Sequence, residues 1–130
     1  MRSVFEHLSE GLVVSDLNGD VLYFNGAAMR IHGFTEKLEY LRALPDFADT
    51  FEVTGRDGVV WPLDQWPLAR ILRGETVIDL EVSVLHIGAG WQRLFSYSGG
   101  LIRDSDGQPV LALVTIREVS DQKRSEGALR

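Results

Sequence analysis

The chain has 130 residues, 45% of them apolar, with a formal charge of −6 and a pI near 5.0. That length and apolar content suit one globular domain and exclude a disordered chain, while the acidic balance with scattered Lys and Arg excludes a nucleic-acid-binding surface. The lack of Cys excludes disulfides, thiolate catalysis and thiolate metal sites.

Val4, Phe5 and Leu8 have the spacing of a short amphipathic helix, so residues 1–10 are expected to flank the domain as a helix and to offer an apolar edge to a second copy. Leu12 to Leu17 and Val21 to Phe24 read as two strands. Asn18-Gly19-Asp20 between them is a hairpin turn, with Asn-Gly supplying positive φ angles. Asn25 is placed to cap a helix through Ala28, Met29 and Ile31 that stops at Gly33, and Thr35 to cap a short turn containing Leu38. Residues 39–56 lack a clean period and read as short helical turns laid on a core. Asp57-Gly58 marks a turn. A further helix runs through Trp66, Leu68, Ala69, Ile71 and Leu72, with Asp64 as its cap, Pro67 in its first turn and Gly74 at its end.

Three strands follow. Val77 to Ile87 alternates Leu80, Val82 and Val84 against Asp79, Glu81 and Ser83. Trp91 to Leu101 sets Trp91, Arg93, Phe95 and Tyr97 opposite Gln92, Leu94, Ser96 and Ser98. Val110 to Val119 is mostly apolar. Residues 121–130 are polar and are expected to begin a helix that leaves the domain. The predicted fold is α+β: a five-stranded antiparallel sheet with short helices on one face, spanning residues 11–120.

The opening Leu12-Val13-Val14-Ser15-Asp16, Asn18-Gly19-Asp20 and Val21-Leu22-Tyr23-Phe24-Asn25 resembles a PAS domain of bacterial signalling proteins. Ala28 and Gly33-Phe34 occupy corresponding places, as do Arg103-Asp104 with Asp106-Gly107 in the last hairpin. Glu118-Val119-Ser120 stands where that family usually has Asp-Ile-Thr, and Gly100 where many members have Pro. The resemblance covers nearly the whole chain. It implies a regulatory or sensory module that binds a small ligand between helices and sheet, or simply dimerises, and relays its state through flanking helices to an output domain beyond residue 130.

The chemistry is sparse. His7, His32 and His86 lie on different elements without a partner at i+4, no phosphate loop or nucleophile elbow is present, and the carboxylates fit turns and solvated faces. The chain therefore reads as no enzyme, with no catalytic and no metal-ligating set. Without Cys a covalent flavin adduct is excluded, and no set of polar groups for a non-covalent flavin stands out. The resemblance disfavours haem, because the best-known haem-binding relatives carry the iron ligand as a His on the helix before the third strand and that helix here, Trp66 to Arg73, has none, although His32 or His86 could ligate from elsewhere. A small organic ligand is the expectation, in a pocket drawn from Trp61, Trp66, Arg70, Trp91, Arg93, Phe95, Ser96 and Tyr97. The same aromatic side chains could equally be core filler. The expected partners are a second copy and a small molecule, with no nucleic acid and no direct membrane contact. No apolar run approaches the ~18–20 residues of a membrane span and Met1 to Glu10 lacks the apolar stretch of a signal peptide. The expected location is thus the cytoplasm, which includes the cytosolic part of a membrane-anchored sensor.

Overall fold

The computed structural model describes residues 10–119. The expected flanking helices, with Val4, Phe5 and Leu8 on the first, lie outside the described residues.

The first two strands, β1 (Gly11–Ser15) and β2 (Val21–Phe24), pair antiparallel. Their turn differs from the one expected from Asn18-Gly19. Among the described residues Asn18 does not take a positive φ; Gly19 alone does so in this turn, at 89°. The Asp16 carboxylate causes the difference, because Oδ1 accepts from the backbone N–H of Asn18 (2.9 Å) and of Asp20 (3.0 Å). This staple favours a wider loop closed by a glycine in the left-handed region. The same arrangement recurs at Asp104, whose Oδ1 accepts from Asp106 and Gln108, with Gly107 at φ 81°.

Asn25 turns the chain from β2 into helix α1 (Gly26–His32). Its Oδ1 accepts from the N–H of Ala28 (2.8 Å) and also from Leu12 of β1 (2.9 Å), while its Nδ2 donates to the Glu10 carbonyl (3.2 Å). One side chain thus caps the helix and ties it to the first strand. Gly33 closes α1 at φ 75°, as its position after the apolar stripe predicts. Helix and strand approach so closely that a Cβ on Gly11 would lie 2.9 Å from Ala28 Cα.

Two 3-10 turns, Lys37–Glu39 and Leu44–Asp49, follow. Thr35 is not the cap of the first. The Glu39 carboxylate instead reaches back to the N–H groups of Thr35 (2.8 Å) and Glu36 (3.0 Å), and Thr35 Oγ1 donates to it as well. The next segment corrects the strand count. Phe51–Thr54 forms a strand, β3, with Phe51 and Val53 buried. It pairs with the later β4 through Phe51↔His86 to Thr54↔Ser83, so the sheet has six strands and not five.

Helix α2 (Pro67–Leu72) begins on the extended backbone of Trp66, with Pro67 at its first position. Asp64 is not its cap, since it sits in a separate 3-10 turn, Leu63–Gln65. Gly74 follows the helix at φ 98°. The long strands β4 (Val77–His86), β5 (Gln92–Arg103) and β6 (Pro109–Glu118) complete an antiparallel sheet of order β2-β1-β6-β5-β4-β3. The expected alternation holds: Val82, Val84, Phe95, Val114 and Ile116 point inward and are buried. The helices lie on that face and close one core with it.

At Gly99, paired with Val114 across β5 and β6, an added Cβ would fall 2.1 Å from the Leu113 carbonyl oxygen. Backbone cannot yield there as a flexible side chain could. Gly99→Ala is therefore expected to cost upwards of about 4 kcal/mol in urea denaturation. Gly107→Ala, where the added carbon meets open space, is expected to cost only about 1 kcal/mol through its left-handed φ.

Candidate functional site

Between the inner sheet face and the segment from Phe24 to Leu68 lies a cavity of about 80 Å³. Its wall is aliphatic and aromatic: Val13, Val53, Val84, Val114 and Ile116 from the sheet, Phe24, Phe47 and Phe51 from the strands and turns around it, and Trp66, Pro67 and Leu68 from the start of α2. No Lys, Arg, Asp or Glu lines it. The polar residues on the wall are His32, Tyr97 and the indole of Trp66.

His32 is the informative one. Its ring stands among those of Phe24 (centroids 5.1 Å apart), Phe51 (5.5 Å), Phe95 (5.7 Å) and Phe34 (5.8 Å). Nδ1 lies 2.7 Å from the Ala28 carbonyl, one helical turn back. A carbonyl can only accept, so Nδ1 carries the proton and Nε2 is left as an acceptor. Burial lowers the His32 pKa from 6.5 to about 4, and the Ala28 bond, which favours the protonated ring, offsets only part of that. The imidazole is neutral at physiological pH. Burial also pushes the Tyr97 hydroxyl up from its ordinary value.

The eight residues expected to form the pocket separate into groups. Trp66 and Tyr97 line the cavity. Phe95 is fully buried behind it, against His32 (5.7 Å) and Tyr97 (6.3 Å). Trp61 does not line it. Its indole presses on Gly55, where a Cβ would come within 2.5 Å of Nε1, and its face carries the Arg70 guanidinium at 4.7 Å. Arg70 is held there by donating from Nε to the Gln65 carbonyl (2.8 Å). Trp91 packs on Phe51 and His86 and lies under Arg93 at 4.2 Å, and Arg93 donates to the Ile31 carbonyl at the end of α1 (3.1 Å). Arg93 therefore fastens α1 to the sheet and Arg70 braces α2 against the segment before it, and neither lines the cavity. Ser96 alternates with Phe95 and Tyr97 and lies on the opposite sheet face, which removes it from this site.

Sequence reasoning passed over His32 as a pocket residue, along with Phe24, Phe47 and Phe51. A usable signal existed for His32. It lies four residues after Ala28 on the stripe that α1 buries.

The cavity does not fit a porphyrin or an isoalloxazine, because it is smaller than the ~150 Å³ that accommodates a benzene. Among the described residues no group of three or more His, Asp or Glu could hold a metal ion, and no helix is long and apolar enough to cross a membrane.

A family model described as "PAS domain" matches residues 1–66, just over half of the chain. The chain belongs to the PAS domain family. Solved structures agree across most of its length. The PAS domain of nitrogen regulation protein NR(II) from Vibrio parahaemolyticus is 15% identical with a TM-score of 0.61, over 90% of this chain and 95% of that one. A domain of a sensory box sensor histidine kinase/response regulator from Geobacter sulfurreducens is 26% identical, with a TM-score of 0.58 over 89% of each chain. The PAS domain of the fruit-fly ELK potassium channel is 13% identical, with a TM-score of 0.62 over 90% of this chain and 92% of that one. No curated protein matches the sequence. As a PAS domain the chain is a sensory or regulatory module of the kind found in signalling proteins, and not a catalytic one.

Keeping His32 neutral in the fold has a cost that depends on pH. The unfolded imidazole takes up a proton below about pH 6.5, whereas the folded one resists until about pH 4. Stability from this residue is therefore complete above pH 6.5 and declines as pH falls through that window, by about 3 kcal/mol in all. Urea midpoints measured from pH 7 to pH 4 are expected to fall in the wild type and to fall less steeply in His32→Phe.

Proposed function

We propose that this PAS domain senses a small molecule in the cavity beside His32 and relays its occupancy through the flanking segments to an output domain. One observation carries the reading: a core closed by stacked rings keeps an open volume, and His32, whose Nε2 has no described hydrogen-bond partner, stands on its wall. A domain of this size gains stability by filling such space. Retaining the space beside a polar atom favours a binding role over a packing role. A ligand shifts the domain between two arrangements only if it prefers one of them. The contacts that would register such a preference are those of α1, which holds His32 and is tied to β1 by Asn25.

A second reading, association of two copies, is supported by the outer sheet face. Register places Val14 between Tyr23 and Leu113, with Gly100 beside Leu113 and Ile102 beside Leu111. Tyr23 (47%) and Ile102 (37%) are exposed there. Val4, Phe5 and Leu8, outside the described residues, are the further candidates for pairing that the sequence offers.

Two measurements test these readings. Val13→Leu adds one methylene to the cavity wall. It is expected to raise stability by up to about 0.8 kcal/mol and to abolish the thermal shifts that small neutral compounds produce in the wild type. A variant that keeps the full wild-type response would refute sensing at this cavity. Light scattering across a dilution series is expected to show a dimer that Val14→Lys weakens, and a wild type that is monomeric at every concentration would refute the second reading.

A further inference from the structure

We infer that the cavity selects a small, neutral, largely apolar molecule bearing one hydrogen-bond donor, which His32 Nε2 receives. The inference rests on the cavity being the sensing site, and it specifies what that site takes.

Three features of the cavity restrict the ligand. The first is charge. No lysine, arginine, aspartate or glutamate lies on the wall, so an ion entering it would lose its water with no counter-charge in exchange, a cost of many kcal/mol that no wall contact offsets. The second is size. A volume of about 80 Å³ suits a molecule of a few heavy atoms, below the ~150 Å³ that a benzene occupies comfortably. The third is polarity, and it has a direction. His32 is only 7% exposed and is held by Ala28 through Nδ1. Its proton is committed to that carbonyl, so Nε2 can accept and cannot donate. No described group donates to it. No described buried side-chain nitrogen or oxygen is sealed without a partner, so Nε2, which has none described, keeps some accessible surface, and His32 lines the cavity. A ligand with only an acceptor would set two lone pairs against each other at this point. A ligand with an O–H or N–H completes the bond that His32 leaves open.

Pyrrole and furan are suitable probes, because the two rings nearly match in size and shape and only pyrrole carries an N–H. Each would be titrated into the full chain, labelled with ¹⁵N at histidine and ¹³C at methyl groups, and followed by NMR. Pyrrole is expected to shift the His32 Nε2 resonance and to bind about tenfold more tightly than furan, the effect of one hydrogen bond to a buried acceptor. In His32→Phe that preference is expected to vanish while furan binding persists. Equal affinities for the two probes in the wild type would overturn the donor requirement and leave the cavity standing as a ligand site. If neither probe moves the methyl resonances of Val13, Val53 or Val114, this inference and the sensing reading of the cavity both fail. The comparison of probes on the wild type does not depend on the variant folding.

Discussion

The main chain of Ala28 joins the scaffold of this domain to its cavity. Its N–H is held by Asn25, which also holds β1 through Leu12, and its carbonyl receives the proton of His32 Nδ1. Neither bond is strong alone, since a typical one contributes about 1 kcal/mol net. Their value is directional. The first sets where α1 begins relative to the sheet. The second sets which nitrogen of a buried imidazole is left free. The character of the cavity wall, apolar with an imidazole on it, follows from that tautomer and from the four phenyl rings packed around His32.

The aromatic cover is fastened by cations that never enter the cavity. Arg42 lies over Phe47 at 4.5 Å and donates to the Glu39 carbonyl, and Arg70 and Arg93 do the same kind of work over Trp61 and Trp91. Each guanidinium covers a ring face while its N–H groups satisfy a carbonyl at a chain turn. The cover is thereby held at three places around its rim, and the space beneath stays open without a frame of ion pairs inside it.

Much of the fold was legible because its signals are local. Asn25 and Gly33 bracket α1 through side-chain and backbone chemistry confined to a few residues, and the period-two pattern of β4 to β6 marks their buried faces directly. β3 was missed because four residues between a 3-10 turn and a glycine carry too little pattern. Its partner β4 begins more than twenty residues later, and only that pairing makes Phe51–Thr54 a strand. The turn after β1 was read from Asn18-Gly19, when the Asp16 carboxylate decides its type. The pocket was only partly legible. Trp61 and Trp91 are large enough to line one, but whether a ring faces inward or lies under an arginine depends on contacts far apart in the chain. Ser96 could have been set aside from the alternation alone. His32 looked like a lone histidine at a helix end until four phenylalanines from separate segments closed around it.

The approach of Gly11 to Ala28 also bears on how a local event could travel. Where most helices ride on a strand through long, yielding side chains, here main chain rests nearly on main chain, so nothing soft lies between them to absorb a displacement. A tilt of α1 of even a fraction of an ångström must carry the start of β1 with it. The helix and the first strand behave as one stiff lever, whose short arm ends beside His32 and whose other arm ends at Glu10, the doorway to the segment that precedes the sheet.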